Sequence, residues 1–168
     1  MTRTHVKALT YAPKILRVLA GELTQTIRPR GRAPVAVGDT ILFHGWSGKP
    51  YRSPWSWRRH TTVTAVQNVL VTRSGIALDA HELSETTMSD DTRIRWTEYK
   101  VTPWHDPAID HIAQLDGFEN GLQLGAYLNK HYYLETPTPF QIITFRLNPA
   151  VTRSITTITG GTVTITHL

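Results

Sequence analysis

The chain has 168 residues, a formal net charge of +5 and a sequence pI near 9.7. It contains no cysteine, which excludes disulfides and thiolate metal sites and fits a reducing compartment. Residues 1–14 lack the apolar segment of a secretory signal, and no apolar run reaches the length of a membrane span. We therefore expect a cytoplasmic protein with no membrane contact, whose basic charge favours polyanionic partners.

The first part of the chain predicts a strand, a helix and a second strand. Val6–Thr10 is apolar enough for a short strand, and Pro13–Ala20 combines an early proline with an apolar stripe, as helices do. Gly21 is a natural helix stop. Glu22–Arg28 then alternates, and strict alternation places Leu23 and Thr26 on opposite faces. A basic loop with Arg30 follows.

The most unusual stretch is Gly38–Arg59. A Gly38-Asp39 turn and an alternating strand open it, and a loop rich in indole and guanidinium groups follows. Flat rings between cations suit the bases and phosphates of single-stranded nucleic acid. Tryptophan also fills cores, so we expect roughly half of the four large rings to face a ligand. The candidate side chains are Trp46, Ser47, Lys49, Tyr51, Arg52, Trp55, Trp57, Arg58 and Arg59.

Charge is distributed unevenly along the chain. Residues 28–59 are basic with Asp39 as their only acid, whereas residues 79–119 are mainly acidic. A single block of like charge is usually a solvated face. Here the basic block coincides with the aromatic block, which favours a binding role.

The second half predicts further strands and helices around one core. Strands are expected over Thr61–Val71, Ile76–Leu78, within Arg93–Pro103 and over Phe140–Leu147; helices over His105–Leu115 and from Leu122 to His131; and a loop or frayed helix over His81–Asp91. Gly160-Gly161 between two threonine-rich alternating segments predicts a hairpin over Ser154–His167. We expect a single domain over residues 1–168, with its core at residues 6–147 and the hairpin of residues 150–168 as an appendage.

The order of these features resembles the ASCH domain family, which is related to PUA domains. The residues that carry the resemblance are Gly21, Thr26-Ile27-Arg28, Gly38-Asp39, Asp116-Gly117-Phe118 and the strand Phe140–Phe145. It covers roughly Val6 to Leu147, and the motifs are more specific in their order than singly. The resemblance implies an α+β fold: a small PUA-like mixed β-barrel flanked by short helices, with a cleft across one face. The C-terminal hairpin lies outside the pattern.

The same resemblance implies an RNA-interacting module. Related folds hold a modified base in an aromatic pocket, and some small members are similar to amidohydrolases that act on N4-acetylcytidine. Those share the motif G-x-K-x-x-T-x-R and a later acid, which map here to Gly21, Thr26, Arg28 and Asp116. Leu23 occupies the lysine position, and leucine cannot attack a carbonyl or carry a proton. Lys49 is the first candidate to replace that lysine.

Three hypotheses follow. The first is a module that binds RNA or single-stranded nucleic acid, in which Thr26, Arg28 and Asp116 contact a base. Rings of the Gly38–Arg59 stretch would stack on bases, and its cations, with Arg30, would meet phosphates. The second is a hydrolase, either an amidohydrolase on an acylated base or a ribonuclease, with Thr26, Lys49 and Asp116 as catalytic candidates. The third is a protein-interaction domain. The scattered histidines lack the spacing of a zinc site, and we expect neither a metal nor a cofactor.

Overall fold

The computed structural model describes residues 2–78, 99–148, 155–159 and 162–166. Within these ranges the chain forms an α+β fold with a seven-stranded mixed sheet, a separate two-stranded sheet and three helices. The elements are, in chain order, β1 (Thr4–Ala8), α1 (Ala12–Ala20), β2 (Gln25–Pro29), β3 (Thr40–Trp46), β4 (Trp55–Thr72), β5 (Gly75–Ala77), β6 (Thr102–Pro103), α2 (Pro107–Leu115), α3 (Gly121–His131), β7 (Thr138–Leu147), β8 (Ile155–Thr159) and β9 (Thr162–Thr166).

The sheet is organised around β4, which is 18 residues long. The first part of β4 pairs antiparallel with β3, its last residues pair with β5, and β7 pairs along Thr61–Val71. β1 adds parallel to β3, and β2 pairs antiparallel with β7. The register against β7 shifts between Val63 and Ala65. Such a bulge bends a strand, so one strand can serve two neighbours that lie in different directions.

The two faces of β7 contact two separate apolar clusters. Phe140 and Ile142 belong to a cluster that includes residues of α2 and α3, whereas Ile143 and Phe145 belong to one that includes Val18 of α1. Because successive strand residues point to opposite faces, an uninterrupted apolar run covers both. The sheet therefore contacts Val18 of α1 through one cluster and residues of α2 and α3 through the other.

The helix ends follow local sequence signals. Asp106 caps α2 by accepting a hydrogen bond from the Ala108 amide at 2.9 Å, and Asn120 caps α3 in the same way. α1 ends at Gly21, whose φ of 82° lies in the left-handed region that glycine adopts without strain. Tyr11, at the start of α1, makes no side-chain cap.

The helices α1, α2 and α3, the strand β7 and the C-terminal hairpin confirm their sequence predictions. Several boundaries differ: β1 spans Thr4–Ala8 rather than Val6–Thr10, and α2 begins at Pro107 rather than His105. The largest differences are at the starts of β4 and β2. β4 begins at Trp55 rather than Thr61, because Trp55 pairs with Trp46 and extends the ladder into the predicted loop. β2 begins at Gln25, because Leu23 still donates its amide to the helix carbonyl of Arg17.

Some predictions fall on other parts of the chain. The loop expected over His81–Asp91 and most of Arg93–Pro103 lie outside the described residues. In the described part of the chain, no helix combines the length and apolarity needed to cross a membrane. The cytoplasmic location stays a prediction.

Candidate functional site

A polar cleft opens where β1 runs into α1, and we call it the polar cleft throughout. It measures about 360 Å³, counting the space open to solvent. Its enclosed part has room for one or two waters. The lining consists of Ala8, Leu9, Thr10, Tyr11, Lys14, Ile27, Arg28, Asp116, Tyr127, Leu128 and Tyr132.

Four separate segments supply the polar cleft. The β1–α1 connection contributes Tyr11 and, one helical turn on, Lys14. Arg28 comes from β2, Asp116 is the C-terminal cap of α2, and Tyr132 follows α3. The cleft therefore exists only when both layers of helices are packed on the sheet.

The innermost groups are an ion pair between Lys14 and Asp116. The Lys14 ammonium donates to Asp116 Oδ1, and the two residues are 5% and 1% exposed. Burial lowers the pKa of Lys14 to about 8, against the pull of Asp116, and burial raises the pKa of Asp116 despite the nearby ammonium. A hydrogen bond from the Ile27 amide also favours the carboxylate. Both shifts show desolvation outweighing the attraction within the pair.

Arg28 stands next to this pair. It also acts on Tyr132: burial raises the pKa of that phenol, and the nearby guanidinium partly offsets the rise. Burial and then Arg28 lower the pKa of Lys7 as well. Among the described residues, neither Arg28 nor Lys7 forms an ion pair. Arg28 Nε is a buried donor with no partner in that part of the chain.

Leu23, at the lysine position of the amidohydrolase motif, is fully buried in the apolar cluster of α1. A Cβ added at Gly117 would lie 3.3 Å from Leu23 Cδ1 and 3.5 Å from Lys14 Cα. Leu23 and Lys14 thus flank the same backbone position beside Asp116. The lysine that reaches the acid comes from α1. Lys49, the expected substitute, is exposed in the β3–β4 loop and does not line the cleft.

Thr26 is also fully buried, and its Oγ1 makes no hydrogen bond within the described residues. It pairs with Ile143 in the β2–β7 ladder and does not line the cleft. The structure therefore brings Arg28 and Asp116 together at the cleft and leaves Thr26 behind it.

The Gly38–Arg59 stretch forms the β3–β4 hairpin. Four of its rings form a second feature, which we call the outer aromatic cluster: His44, Trp46, Tyr51 and Trp55. His44 stacks on Trp55 with centroids 4.2 Å apart, and Trp46 touches both His44 and Tyr51. His44 is buried, and burial lowers its pKa. Tyr51 is 87% exposed and Trp55 40%. These two rings offer faces to a ligand.

Trp57 is half-buried and turns towards the core instead. It packs against the apolar cluster of α1. A Cβ at Gly45 would lie 2.2 Å from its Nε1, so the glycine leaves the room that this indole fills. Arg59 points to the same side, where Nη2 lies 3.5 Å from the Leu19 carbonyl. Strand alternation places Trp57 and Arg59 inward and Arg58 outward. A register shift between Gly45 and Trp46 pairs Trp55 with Trp46, which puts Trp55 on the outward side.

The other predicted binding residues lie around the outer aromatic cluster or along β2. Lys49, Arg52 and Arg58 are exposed, and Arg30 is half-buried just after β2. The Ser47 hydroxyl stabilises the turn of the hairpin, because it donates to the Pro54 carbonyl at 3.0 Å. The loop therefore presents three cations near the exposed rings.

The two features meet at the seam between β1 and β3. Ala8, which lines the cleft, is the register partner of His44, and the Leu9 amide donates to the His44 carbonyl at 3.0 Å. Paired residues in a sheet project on the same side. The outer aromatic cluster thus begins beside the mouth of the polar cleft.

Sequence reasoning missed Lys14 and the three tyrosines of the cleft. Lys14 carried a signal, because it lies four residues before the buried Val18 and so on the same helical face. A charge on the buried stripe of a helix calls for a buried partner. Tyr132 carried no such signal, since the groups that act on it, Arg28 first, belong to other segments.

In the ranges that the structure describes, no cluster of three or more histidine or acidic residues could hold a metal. The expectation of no metal or cofactor stays a prediction. The chain matches no family model, no curated protein and no solved structure. The ASCH resemblance stays a prediction too, and the function must be argued from the site.

Proposed function

We propose that this protein binds RNA or single-stranded nucleic acid, with bases stacked on the outer aromatic cluster. The observation that carries this proposal is the exposure of Tyr51 and Trp55 on a ring scaffold that includes the buried His44. Large exposed rings are unfavourable in water, and a base that covers one returns about 1–3 kcal/mol. The ASCH resemblance favours the same reading and, with it, a PUA-like barrel.

Positive charge supports the same partner. Lys49, Arg52 and Arg58 are exposed around the rings, and cations interleaved with aromatic side chains are typical of surfaces that track a flexible phosphate backbone. A protein partner would cover rings of this kind with apolar groups and would leave salt dependence weak.

The polar cleft lies at the end of this surface and receives one end of the bound strand, to which Arg28 offers a donor. The cleft has room only for waters in this conformation, so a whole base does not fit unless side chains such as Tyr132 move. Thr26 supports the strand behind the cleft.

Tyrosines of equal exposure give the test. Tyr51→Ala should weaken binding of a fluorescent single-stranded oligonucleotide about tenfold, the equivalent of one stacked base. Tyr133→Ala is the matched control, because Tyr133 is 77% exposed and lies outside the cluster. Equal losses in both variants, or no binding by the parent protein at any salt concentration, would refute the proposal.

Amide hydrolysis in the polar cleft is a second candidate, favoured by the contact between Lys14 and Asp116. A buried ammonium with a pKa of about 8 beside a carboxyl group can exchange a proton near neutral pH. Because Leu23 lies next to Lys14, the lysine absent from the motif is supplied from α1. Release of acetate from N4-acetylcytidine, lost in Lys14→Met and kept in Lys49→Met, is the expected result. No release above the rate without protein would exclude this activity.

A further inference from the structure

We propose that the polar cleft binds a phosphate group, the terminal phosphate monoester of a nucleic-acid strand. That the phosphate belongs to a nucleic-acid strand rests on the proposed function. That the cleft binds a phosphate at all is argued from charge, hydrogen-bond donors and size.

Charge is the first argument. Lys14 and Arg28 both line the cleft, and Arg28 lies close enough to act on Lys7 of β1 as well, because burial and then Arg28 lower the pKa of both lysines. Among the described residues, Asp116 is the one carboxylate that lines the cleft, and Lys14 and the Ile27 amide stabilise its charged form. Among the described residues that line the cleft, two cations face one carboxylate. This leaves one excess positive charge in a half-buried place where screening is weak. A phosphate group supplies the negative charge that balances it.

Donors are the second argument. Arg28 Nε is buried and unpartnered among the described residues. A guanidinium gives phosphate oxygens two parallel hydrogen bonds when Nε is available. The Tyr132 hydroxyl lies beside Arg28. It is a second group that can donate to a phosphate oxygen after rotation of the O–H bond.

The start of α1 faces the same cleft, which Thr10, Tyr11 and Lys14 line. The amides of a first helical turn have no partner inside the helix. In α1 no side chain caps them, and the first turn contains no acidic residue. Both α2 and α3, in contrast, are capped by side chains. An uncapped helix start beside uncompensated cations favours an anion.

Size and position are the third argument. With room for one or two waters, the cleft suits phosphate oxygens better than a base ring. Ala8 of the cleft is the register partner of His44 in the outer aromatic cluster. A strand can therefore place its terminal phosphate in the cleft while the attached nucleotides stack on Trp55 and Tyr51.

Asp116 and Arg28 should affect phosphate affinity in opposite directions. Its carboxylate repels a phosphate while it neutralises Lys14. Asp116→Asn should therefore raise phosphate affinity, whereas Arg28→Gln should lower it. A site built to recognise a base through this carboxylate would lose affinity in both variants.

The experiment compares one oligonucleotide with a 5′-phosphate, with a 3′-phosphate and with hydroxyls at both ends, at fixed salt and pH 7.5. One phosphorylated end should bind about tenfold more tightly than the hydroxyl form, the effect of one charge-assisted hydrogen bond. Arg28→Gln should remove that gain. Arg73→Gln, an exposed arginine paired with Glu135 on the surface, should keep it. Inorganic phosphate should compete in the parent protein and not in Arg28→Gln.

The outcomes separate the two proposals. If all three oligonucleotides bind equally and inorganic phosphate does not compete, the cleft is no phosphate site, while the proposed function stands through its dependence on Tyr51. If inorganic phosphate binds through Arg28 but no oligonucleotide does, the phosphate site stands and the proposed function fails. Because Arg28→Gln can also disturb the packing of the cleft, Tyr132→Phe provides an independent test. This variant should reduce the affinity gained from the terminal phosphate without loss of thermal stability.

Discussion

The polar cleft and the outer aromatic cluster lie side by side and are built in opposite ways. The cleft collects charged groups from four segments and buries them, with Lys14 5% exposed. The outer aromatic cluster comes from a single hairpin and leaves Tyr51 87% exposed. One region depends on the whole fold for its existence, and the other on the local pairing of β3 with β4.

This difference has an energetic consequence. Buried charges hold each other in place, because removal of one leaves the other desolvated and unpaired. Exposed rings do not depend on a buried partner in this way, so their substitution changes the free energy of unfolding little. Mutations in the cleft should therefore report on stability first, and mutations in the outer aromatic cluster on binding first.

The largest expected effect is in the cleft. Lys14→Met should lower the free energy of unfolding by about 3–5 kcal/mol, because Asp116 is left as a buried, unpaired carboxylate. The double variant Lys14→Met/Asp116→Leu should recover most of that loss, as measured by urea denaturation. The control is Arg73→Met, whose partner Glu135 is exposed, with an effect of at most about 1 kcal/mol. A small loss in Lys14→Met would show that the pair is hydrated.

Two tryptophans of the same hairpin sharpen the comparison. Trp57→Ala should cost about 3 kcal/mol of stability, because the indole packs on the core under Gly45. Trp55→Ala should cost much less stability but about 1–3 kcal/mol of nucleic-acid affinity. Thermal unfolding and fluorescence titration of both variants check this. The reverse pattern would mean that the exposed face is not where bases stack.

Salt dependence distinguishes the outward and inward arginines. The double variant Arg52→Ala/Arg58→Ala should reduce the slope of log affinity against log salt concentration by about 0.7 per arginine. Arg59→Ala should change the slope less, because its guanidinium reaches the Leu19 carbonyl at the end of α1. Slopes that fall equally in the double variant and in Arg59→Ala would place all three cations on the phosphate path.

The smallest effect concerns two buried carboxylates with opposite shifts. Asp39 accepts the Arg3 amide at 2.9 Å, the His5 ring and the Ala36 amide, and these lower its pKa to about 2. Burial instead raises the pKa of Asp116. The stabilisation from Asp39 is complete above about pH 4 and is lost as pH falls towards 2. Protonation of Asp116 begins at higher pH and opposes that loss.

Unfolding measured between pH 5 and pH 2 checks the sign. Asp39→Asn should flatten the acid side of the stability curve, because it removes the carboxyl whose pKa is lowered to about 2. Carboxyl resonances followed by NMR should titrate in the order Asp116 first and Asp39 last. The opposite order would mean that Asp116 is stabilised as a carboxylate by its neighbours more than it is desolvated.

Local sequence signals determined most elements and one of the two regions. The proline and glycine at the ends of α1, the acidic start of α2 and the Gly-Gly hairpin signal each act within a few residues, so they can be read directly from the chain. The concentration of rings and cations in the Gly38–Arg59 stretch is equally local. It predicted the outer aromatic cluster, although only strand pairing decided that Trp55 faces out and Trp57 faces in.

Tertiary structure alone decided the polar cleft. Lys14 and Asp116 are 102 residues apart, and Tyr132 reaches Arg28 from the end of α3. A periodic pattern indicates which face of a helix is buried, but it does not identify the residues of other segments that this face contacts. The sequence placed Lys14 on the buried stripe of α1; the packing of α1 and α2 against β2 brought it to Asp116, because a buried ammonium is stable only beside an acceptor that the rest of the fold supplies.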